Sequence, residues 1–337
     1  MFRRGARGLG ENSRFRRQIA VFASVRRRID LPLGRRIAYA PAASQFAAAA
    51  TGRRNSYATA QLLTMRDAIL AATIFLAAGC APVTKMVSPS NVRNWSPDQA
   101  VLPYAEFRGD DVLVHNVRNC NYIDEDTFVV RHEDRHYQLD QLQAVDFIMV
   151  PFDAMPRLAH TMLSFEFRPP DGPPQHLAAS VEIRKEDGES YAAWKGSARQ
   201  YELMYVLADE RDVVQLRTNH RGEDVYLYRT TATPEQARLL LVDVLARANE
   251  LAAHPEFYDT VANNCTTNIV RHINRIQPNR LKVDYRVLLP GYSDELAFDE
   301  GLLVARGSFE ETKAAAYLNP KALAAANRDD FSQAIRR

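Results

Sequence analysis

One cysteine, Cys265, stands in a sequence context that suits a nucleophile. It follows Asn263 and Asn264, and either asparagine is a natural helix N-cap, so Cys265 is predicted to lie in the first turn of a helix. The unpaired amides and the positive dipole end of that turn stabilise a thiolate and lower its pKa. The backbone amides of Cys265 and Thr266 are then expected to hold a developing oxyanion. The alternative of equal weight is a buried cysteine packed in line with Ile269.

A thiol nucleophile needs a base, and the sequence offers His160 at the head of a predicted β-hairpin. Apolar and polar residues alternate on both sides of the turn segment 168–175, which is typical of paired strands. The apolar face holds Leu163, Phe165, Phe167, Leu177, Ala179, Val181 and Ile183. The other face holds His160, Ser164, Glu166, Ser180, Glu182 and Arg184.

Closing this hairpin sets His160 opposite Glu182 or, after a two-residue shift, opposite Arg184. A carboxylate at Glu182 would orient the imidazole and stabilise its cation, which is the role of the third member of a catalytic triad. Glu182 is equally consistent with a solvated carboxylate or with an ion pair to Arg184. The helix that carries Cys265 is expected to lie over the face of His160, although that face is polar.

Two further histidine patterns are interpreted as structural. Segment 132–136, HEDRH, satisfies the H-E-x-x-H zinc pattern, but its flanks alternate as in a strand or turn, whereas a zinc site of this type needs a helix. No third ligand stands out, so no metal site is predicted and no cofactor is expected. His272 lies seven residues after Cys265 on the same helix face, about 10 Å away, so it is not the base for that thiol.

The order of elements predicts an α+β fold. The composition, with 46% hydrophobic and 25% charged residues, is that of a globular protein and excludes collagen-like, coiled-coil and polytopic membrane classes. Strand-like alternation dominates the middle of the chain, and the helical period dominates the later part. The clearest helix starts at Thr233, with Pro234 at its first position and Gln236 three residues after the cap.

The first 64 residues differ from the rest in charge. They contain 13 Arg, no Lys and two acidic residues, a net charge of +11, whereas the remaining chain has a net charge of −9. No recognition motif accompanies the arginines, so nucleic acid is not expected as a partner. Organelle transit peptides share this composition. Residues 1–64 are interpreted as disordered or as an extension upstream of the true start.

Residues 65–80 resemble the signal peptide of a bacterial lipoprotein. The apolar run 68–78 is too short to span a bilayer but has the length of a signal-peptide core. The ending Leu-Ala-Ala-Gly-Cys resembles a lipobox, which implies that Cys80 is lipidated and becomes the mature N-terminus. The residue after it is Ala81, not Asp, which favours anchoring to the outer membrane. The alternative is a small buried cysteine in an apolar helix.

Residues 81–109 are rich in Pro, Ser and Asn, so they are expected to form a tether. Residues 110–305 are predicted to form the single folded domain. Residues 306–337 are expected to be a C-terminal tail.

Within 110–305, six segments in order resemble the Lnb N-terminal periplasmic domain family. They are 159–167 (AHTMLSFEF), 180–184 (SVEIR), 201–205 (YELMY), 209–213 (DERDV), 263–267 (NNCTT) and 289–296 (LPGYSDEL). The family is similar to circularly permuted papain-like (NlpC/P60-like) thiol enzymes, in which the histidine strand precedes the cysteine helix. The resemblance implies a nucleophile at Cys265, a base at His160 and an orienting residue at Glu182.

The family's namesake transfers an acyl chain within a bacterial lipoprotein, from the lipid glycerol to the α-amino group of the terminal cysteine. It carries transmembrane helices beside the domain, and no apolar run of that length follows Cys80 here. The expected function is therefore broader: a periplasmic, membrane-tethered acyltransferase or hydrolase that cleaves an ester or amide through an acyl-thioenzyme. A lipid, a lipoprotein or a peptide is the expected substrate.

A different class of function remains open. Cys120 and Cys265 would both lie in an oxidising compartment, and a disulfide between them would remove the nucleophile. The protein would then be a non-enzymatic periplasmic binding module.

Overall fold

The structure is a computed structural model that describes residues 88–125, 127–189 and 201–337. All of these residues belong to one compact unit, Thr84–Arg337. The expectations for residues 1–64, for the signal peptide with Cys80 and for residues 81–87 lie outside the described residues.

A mixed sheet forms the centre of this unit. Its strands are β1 (Tyr104–Arg108), β2 (Asp111–Arg118), β5 (His132–Gln138), β6 (Leu142–Phe152), β7 (Met155–Phe167), β8 (Gln175–Arg184), β9 (Glu202–Asp209) and β10 (Tyr226–Arg229). The order across the sheet is β1-β2-β9-β8-β7-β6-β10, with β5 also paired to β2. The pairs are antiparallel except for the β2–β9 contact at Arg118 and Ala208. Two short strands, β3 (Asn121–Tyr122) and β4 (Phe128–Val129), pair separately.

Most of the helices follow the last long strand. They are α1 (Glu210–Gln215), α2 (Pro234–Ala253), α3 (Cys265–Ile276), α4 (Tyr285–Leu288), α5 (Ser293–Asp299), α6 (Phe309–Ala316), α7 (Asn319–Ala324) and α8 (Phe331–Ala334). A π-helical turn, Leu216–His220, continues α1. The α+β prediction is confirmed, as is the capping box of α2 at Thr233. Within the described ranges, no helix is both long enough and apolar enough to cross a membrane.

The central hairpin β7–β8 has the predicted register. Met162 pairs with Ser180, and Phe167 pairs with Gln175 across the turn. Continued by two residues, this register sets His160 opposite Glu182. The two candidate side chains therefore lie side by side on one face, because side chains on a strand alternate between faces.

Helices cover both faces of the sheet. On one face, α2 and α3 pack on the apolar side chains of the hairpin, including Leu163 and Phe165. On the other face, α1, α7 and α8 pack on Met162 and Ala178. The helix of Cys265 therefore lies over the apolar face, and the expectation that it covers the polar face of His160 is wrong. The polar face is buried beneath the other helical layer.

The folded unit extends beyond 110–305 at both ends. β1 lies in the range expected to be a tether and pairs with β2 along its whole length. Residues 306–337, expected to be a tail, form α6, α7 and α8, and Phe331 in α8 is almost completely buried. Short, alanine-rich and charged helices such as these carry a weak hydrophobic period, because only one or two side chains of each reach the core.

Arg336 fastens the C-terminal end to the sheet. Its guanidinium donates hydrogen bonds to Asp146 on β6 and to Glu210 at the start of α1, at 2.6 to 2.9 Å. Both carboxylates are fully buried. A buried carboxylate needs a cation to compensate its lost hydration, so the last residues of the chain are part of the domain.

Gly291 allows a turn to press against the start of β7. A Cβ at this position would stand 2.0 Å from the carbonyl oxygen of Pro156 and 2.6 Å from the carbonyl carbon of Arg157. Only glycine fits, because the obstacle is backbone that cannot rotate away. The turn 290–292 thus fixes β7 three residues before His160.

We predict that Gly291→Ala destabilises the protein by about 1–3 kcal/mol, since the added methyl must displace backbone. Chemical denaturation monitored by circular dichroism measures this. Gly109→Ala is the control, because Gly109 lies in open space with a φ of +73° and its substitution adds only backbone strain of about 1 kcal/mol. Alkylation of Cys265 should slow in the Gly291 variant and stay normal in the Gly109 variant. Equal effects of both substitutions on alkylation would contradict the positioning role of the turn.

Candidate active site

Cys265 is the first residue of α3, as predicted. The N-cap is Asn264, whose side chain accepts a hydrogen bond from the amide of Thr267, while the Thr267 hydroxyl accepts one from the amide of Asn264. This capping box leaves the amides of Cys265 and Thr266 without an acceptor inside the helix. They are the two amides expected to hold an oxyanion.

The Cys265 thiol is buried against the first residues of β7. Its Sγ lies 3.9 Å from the carbonyl oxygen of Ala159 and 3.8 Å from Oγ1 of Thr266. The backbone and the hydroxyl of Thr161 favour the thiolate and help to lower the pKa of Cys265. The hydroxyls of Thr161 and Thr266 are 3.0 Å apart. The start of α3 is therefore fastened to the strand that carries His160.

His160 connects the thiol to the polar face of the hairpin. Its Nε2 lies 2.7 Å from Oγ of Ser180 and 3.2 Å from Oε1 of Glu182. Nδ1 is thus the ring nitrogen left to interact with Cys265, whose thiolate form His160 favours. The structure therefore brings the three predicted residues Cys265, His160 and Glu182 together.

Glu182 is held by three neighbours. Besides His160, the Ser180 hydroxyl donates to its Oε1 at 2.6 Å, and Nη2 of Arg217 lies 3.4 Å from the same oxygen. Arg217 also contacts Glu223 at 3.3 Å. It lies on the π-helical turn that follows α1, and such turns are frequent at functional sites.

The charges of these groups support one another. Burial disfavours ionisation of Glu182, but His160 and Arg217 outweigh it and hold the pKa of this carboxyl well below its ordinary value. Burial likewise disfavours the His160 cation, but the Glu182 carboxylate raises the pKa of His160 to about 9. Burial opposes ionisation of Cys265, but His160 lowers the pKa of this thiol to about 7. Between these two pKa values the pair is a thiolate and an imidazolium.

Three residues of this site were not assigned a role from the sequence. Ser180 was placed on the face of His160, and its spacing of two residues from Glu182 was the available signal. Thr161 lies on the face of β7 opposite to that of His160. Its contact with the thiol depends on where α3 packs, which the sequence pattern does not show. Arg217 carried no signal, because the π turn that directs it inward is not visible in a sequence pattern.

The other candidate residues lie outside this constellation. His272 is buried on α3, where its ring contacts Oδ2 of Asp243 and the hydroxyl of Tyr205, both at 2.6 Å. His132 and His136 lie on strand β5, as the alternation indicated, and His136 is largely exposed. Cys120 and Cys265 are both free thiols, so the disulfide of the alternative prediction is not formed.

Within the described ranges, no three His, Cys, Asp or Glu side chains converge as metal ligands would.

An apolar cavity of about 390 Å³ lies beside the start of α3. It is bounded by Thr266, the residue after Cys265, and continues along α3 past Ile269 and Ile273 to Leu281. Strands β6 and β7 and helices α2 and α5 close the other sides. A cavity with mostly apolar walls can hold a hydrocarbon chain, and Thr266 separates this cavity from the neighbouring thiol.

Comparison with known protein families finds one match. Residues 129–291 match the model of the Lnb N-terminal periplasmic domain. The resemblance to this family is confirmed. No curated protein and no solved structure matches the chain significantly.

The Lnb-like stretch contains every residue of the constellation, from His160 on β7 to Cys265 on α3. It also contains Ser180 and Arg217, which the sequence alone left without a role. Helices α5 to α8 follow the matched residues. The part of the cavity wall that α5 supplies therefore lies outside the stretch that matches the family.

We predict that Cys265 reacts with a small alkylating reagent with a midpoint near pH 7, the pKa that His160 imposes on it. In His160→Ala the stabilising cation is lost while burial remains, so the midpoint should rise above pH 8.5 and the rate at pH 7 should fall at least about tenfold. The measurement is the alkylation rate against pH in the full chain with Cys80→Ser and Cys120→Ala. Superimposable profiles with and without His160 would contradict the coupling.

Removal of the Ser180 hydroxyl should lower the pKa of His160 below about 9, because the cation loses its shortest acceptor. The pKa is measured by following the His160 ring signals against pH in Ser180→Ala by NMR. Ser164→Ala is the matched control, since Ser164 is equally buried and donates to Glu210. If the two serine variants titrate alike, Ser180 is a packing residue.

Proposed function

We propose that this protein is a cysteine-dependent acyltransferase or hydrolase that forms an acyl-thioenzyme at Cys265. The observation that carries the proposal is the buried thiol, lowered in pKa to about 7 by an imidazole that a carboxylate holds in its cationic form. A packing cysteine needs none of these partners. Partners of this kind activate a nucleophilic cysteine, since the thiolate is the reactive species.

In the first step, the Cys265 thiolate attacks the carbonyl carbon of an ester or amide. The negative charge that develops on the carbonyl oxygen is stabilised by the amides of Cys265 and Thr266. The carbon–sulfur bond forms, the bond to the leaving group breaks, and the His160 imidazolium gives its proton to the departing alcohol or amine.

In the second step, the now neutral His160 acts as a base. It takes a proton from water or from an acceptor amine, which attacks the thioester and releases Cys265. Ser180 and Glu182 keep the ring orientation through both steps, because they hold Nε2 while the other ring nitrogen exchanges the proton.

The apolar cavity favours a substrate with a long hydrocarbon chain. Its walls are mostly aliphatic, and Thr266, the residue after the proposed nucleophile, is one of the residues that line it. A peptide substrate would require polar groups for its backbone amides, because unsatisfied amides are costly to bury. We therefore propose an acyl lipid or a lipoprotein as the acyl donor.

The match to a periplasmic domain family supports action in the periplasm. Anchoring through a lipidated Cys80, favouring the outer membrane, remains part of the proposal and rests on the signal-peptide resemblance of residues 65–80. A permuted papain-like arrangement is likewise proposed, since His160 on a strand precedes Cys265 on a helix.

We predict that Cys265→Ala lowers turnover of a long-chain nitrophenyl ester at least about 10³-fold, because the covalent route is lost. Wild-type protein should give a burst of nitrophenol, and intact-mass spectrometry should show one acyl adduct at Cys265. Cys120→Ala is the matched control and should keep full turnover. Esters of increasing chain length should gain in kcat/KM until the cavity is filled.

Retention of turnover in Cys265→Ala, or an adduct on another residue, would overturn the proposal. If the adduct forms at Cys265 at a rate independent of chain length, the assignment of the nucleophile stands, but the proposal of a long-chain acyl donor is contradicted.

A further inference from the structure

Helix α4 is an apolar element that packs none of its residues into the core. Its four residues, YRVL, include no buried side chain. Tyr285 is 62% exposed, Leu288 is 50% exposed, and Val283 just before the helix is fully exposed. Single exposed apolar residues are ordinary, but three within six positions mark a contact surface.

This surface continues from one end of the apolar cavity. The cavity wall follows α3 from Thr266 to Ile276 and then takes in Arg280 and Leu281. The ten-residue step from Thr266 to Ile276 corresponds to about 15 Å along the helix axis. Leu281 is hydrogen-bonded to Asn274 in the C-terminal half of α3, and the chain passes directly from it into the exposed segment 282–288. This segment therefore begins beside the part of the cavity that the C-terminal half of α3 lines.

The exposed segment carries one cation that has no ion-pair partner among the described residues, and the other cations near it are paired. Residues 275–288 contain four cations, Arg275, Arg280, Lys282 and Arg286, and one acid, Asp284. The three arginines form ion pairs, and Asp243, Glu300 and Asp299 complete them from other elements. Lys282 is exposed and makes no ion pair with the described residues. Exposed apolar side chains can insert into a bilayer, and the neighbouring Lys282 can contact an anionic headgroup at the same surface.

We propose that residues 282–288 form an interfacial docking surface whose partner is a lipid bilayer that contains anionic lipid. Val283, Tyr285 and Leu288 insert among the acyl chains, and Lys282 contacts the anionic headgroups. This inference extends the proposed function, and it depends on that proposal for the identity of the substrate as an acyl lipid. A lipid drawn up from the bilayer keeps its tail in the cavity, directed towards the membrane, while its acyl carbonyl reaches Cys265.

The geometry explains why an apolar surface is tolerated at this place. A chain that leaves the bilayer at α4 enters a cavity whose walls are mostly apolar, which reduces the apolar surface that it exposes to water. A docking surface at the opposite side of the domain would give the chain no such route.

The test uses tryptophan as a local probe of insertion. Leu288→Trp is compared with Leu323→Trp, since Leu323 on α7 is 56% exposed and the substitution is identical. Both are made in the full chain with Cys80→Ser, so that no lipid anchor contributes. Vesicles contain phosphatidylethanolamine and phosphatidylglycerol, and matched vesicles contain lipids brominated on the acyl chains.

We expect brominated lipids to quench the added fluorescence of the Leu288→Trp variant at least about twofold more than that of the Leu323→Trp variant. Val283→Ser with Tyr285→Ser should abolish the difference, and Lys282→Glu should reduce it most at low salt. Equal quenching at both positions, or none at either, would overturn the docking surface. Self-association of the Leu288→Trp variant without vesicles would also overturn it in favour of a second copy as partner.

Activity separates this inference from the function on which it rests. The Val283→Ser, Tyr285→Ser variant should hydrolyse a soluble short-chain ester at the wild-type rate and lose turnover of the same acyl group presented in vesicles. If wild-type protein hydrolyses neither, the proposed function fails while the fluorescence result stands by itself. If the variant retains full activity on vesicles, the docking surface fails and the function stands.

Discussion

The negative charge of Glu182 is the constraint on which the site depends. This carboxylate keeps its charge because His160, Arg217 and Ser180 contact it directly. Its charge raises the pKa of His160, and the resulting imidazolium lowers the pKa of Cys265. Each group is ionised because its neighbour is, which is how coupled sites differ from isolated ones.

The hairpin face that carries Glu182 lies under a helical layer, so its polar residues are buried and need partners there. Ser164, Glu166 and Ser180 lie on that face and are almost completely buried. Arg229 compensates Glu166, and Arg336 compensates Glu210, which Ser164 contacts. Buried carboxylates require such partners. The C-terminal end of the chain therefore compensates buried charges on the face that carries the site, although it contributes none of the site's own side chains.

Local rules were sufficient to predict the elements that carry the site. The cap at Asn264, the capping box at Thr233 and the pairing of His160 with Glu182 each follow from residues close in sequence. The second helical layer could not be predicted in this way. Its contacts join residues separated by more than a hundred positions, such as Asp146 and Arg336. The side of the sheet covered by α3 was mistaken for the same reason, since a strand pattern identifies two faces but not the helix that covers each.

The two buried cysteines show why burial alone does not decide reactivity. Cys120 lies beside the Asp212 carboxylate, so burial and the neighbouring charge act in the same direction and raise the pKa of its thiol to about 11. Cys265 is at least as deeply buried, yet its pKa is lowered, because its neighbour is a cation and its helix start supplies free amides. The difference between the raised pKa of Cys120 and the lowered pKa of Cys265 therefore follows the sign of the charge beside each thiol. For Cys265 the neighbouring charge is the His160 cation. Strand β7 carries His160 and also contacts the first turn of α3 through Thr161 and Thr266.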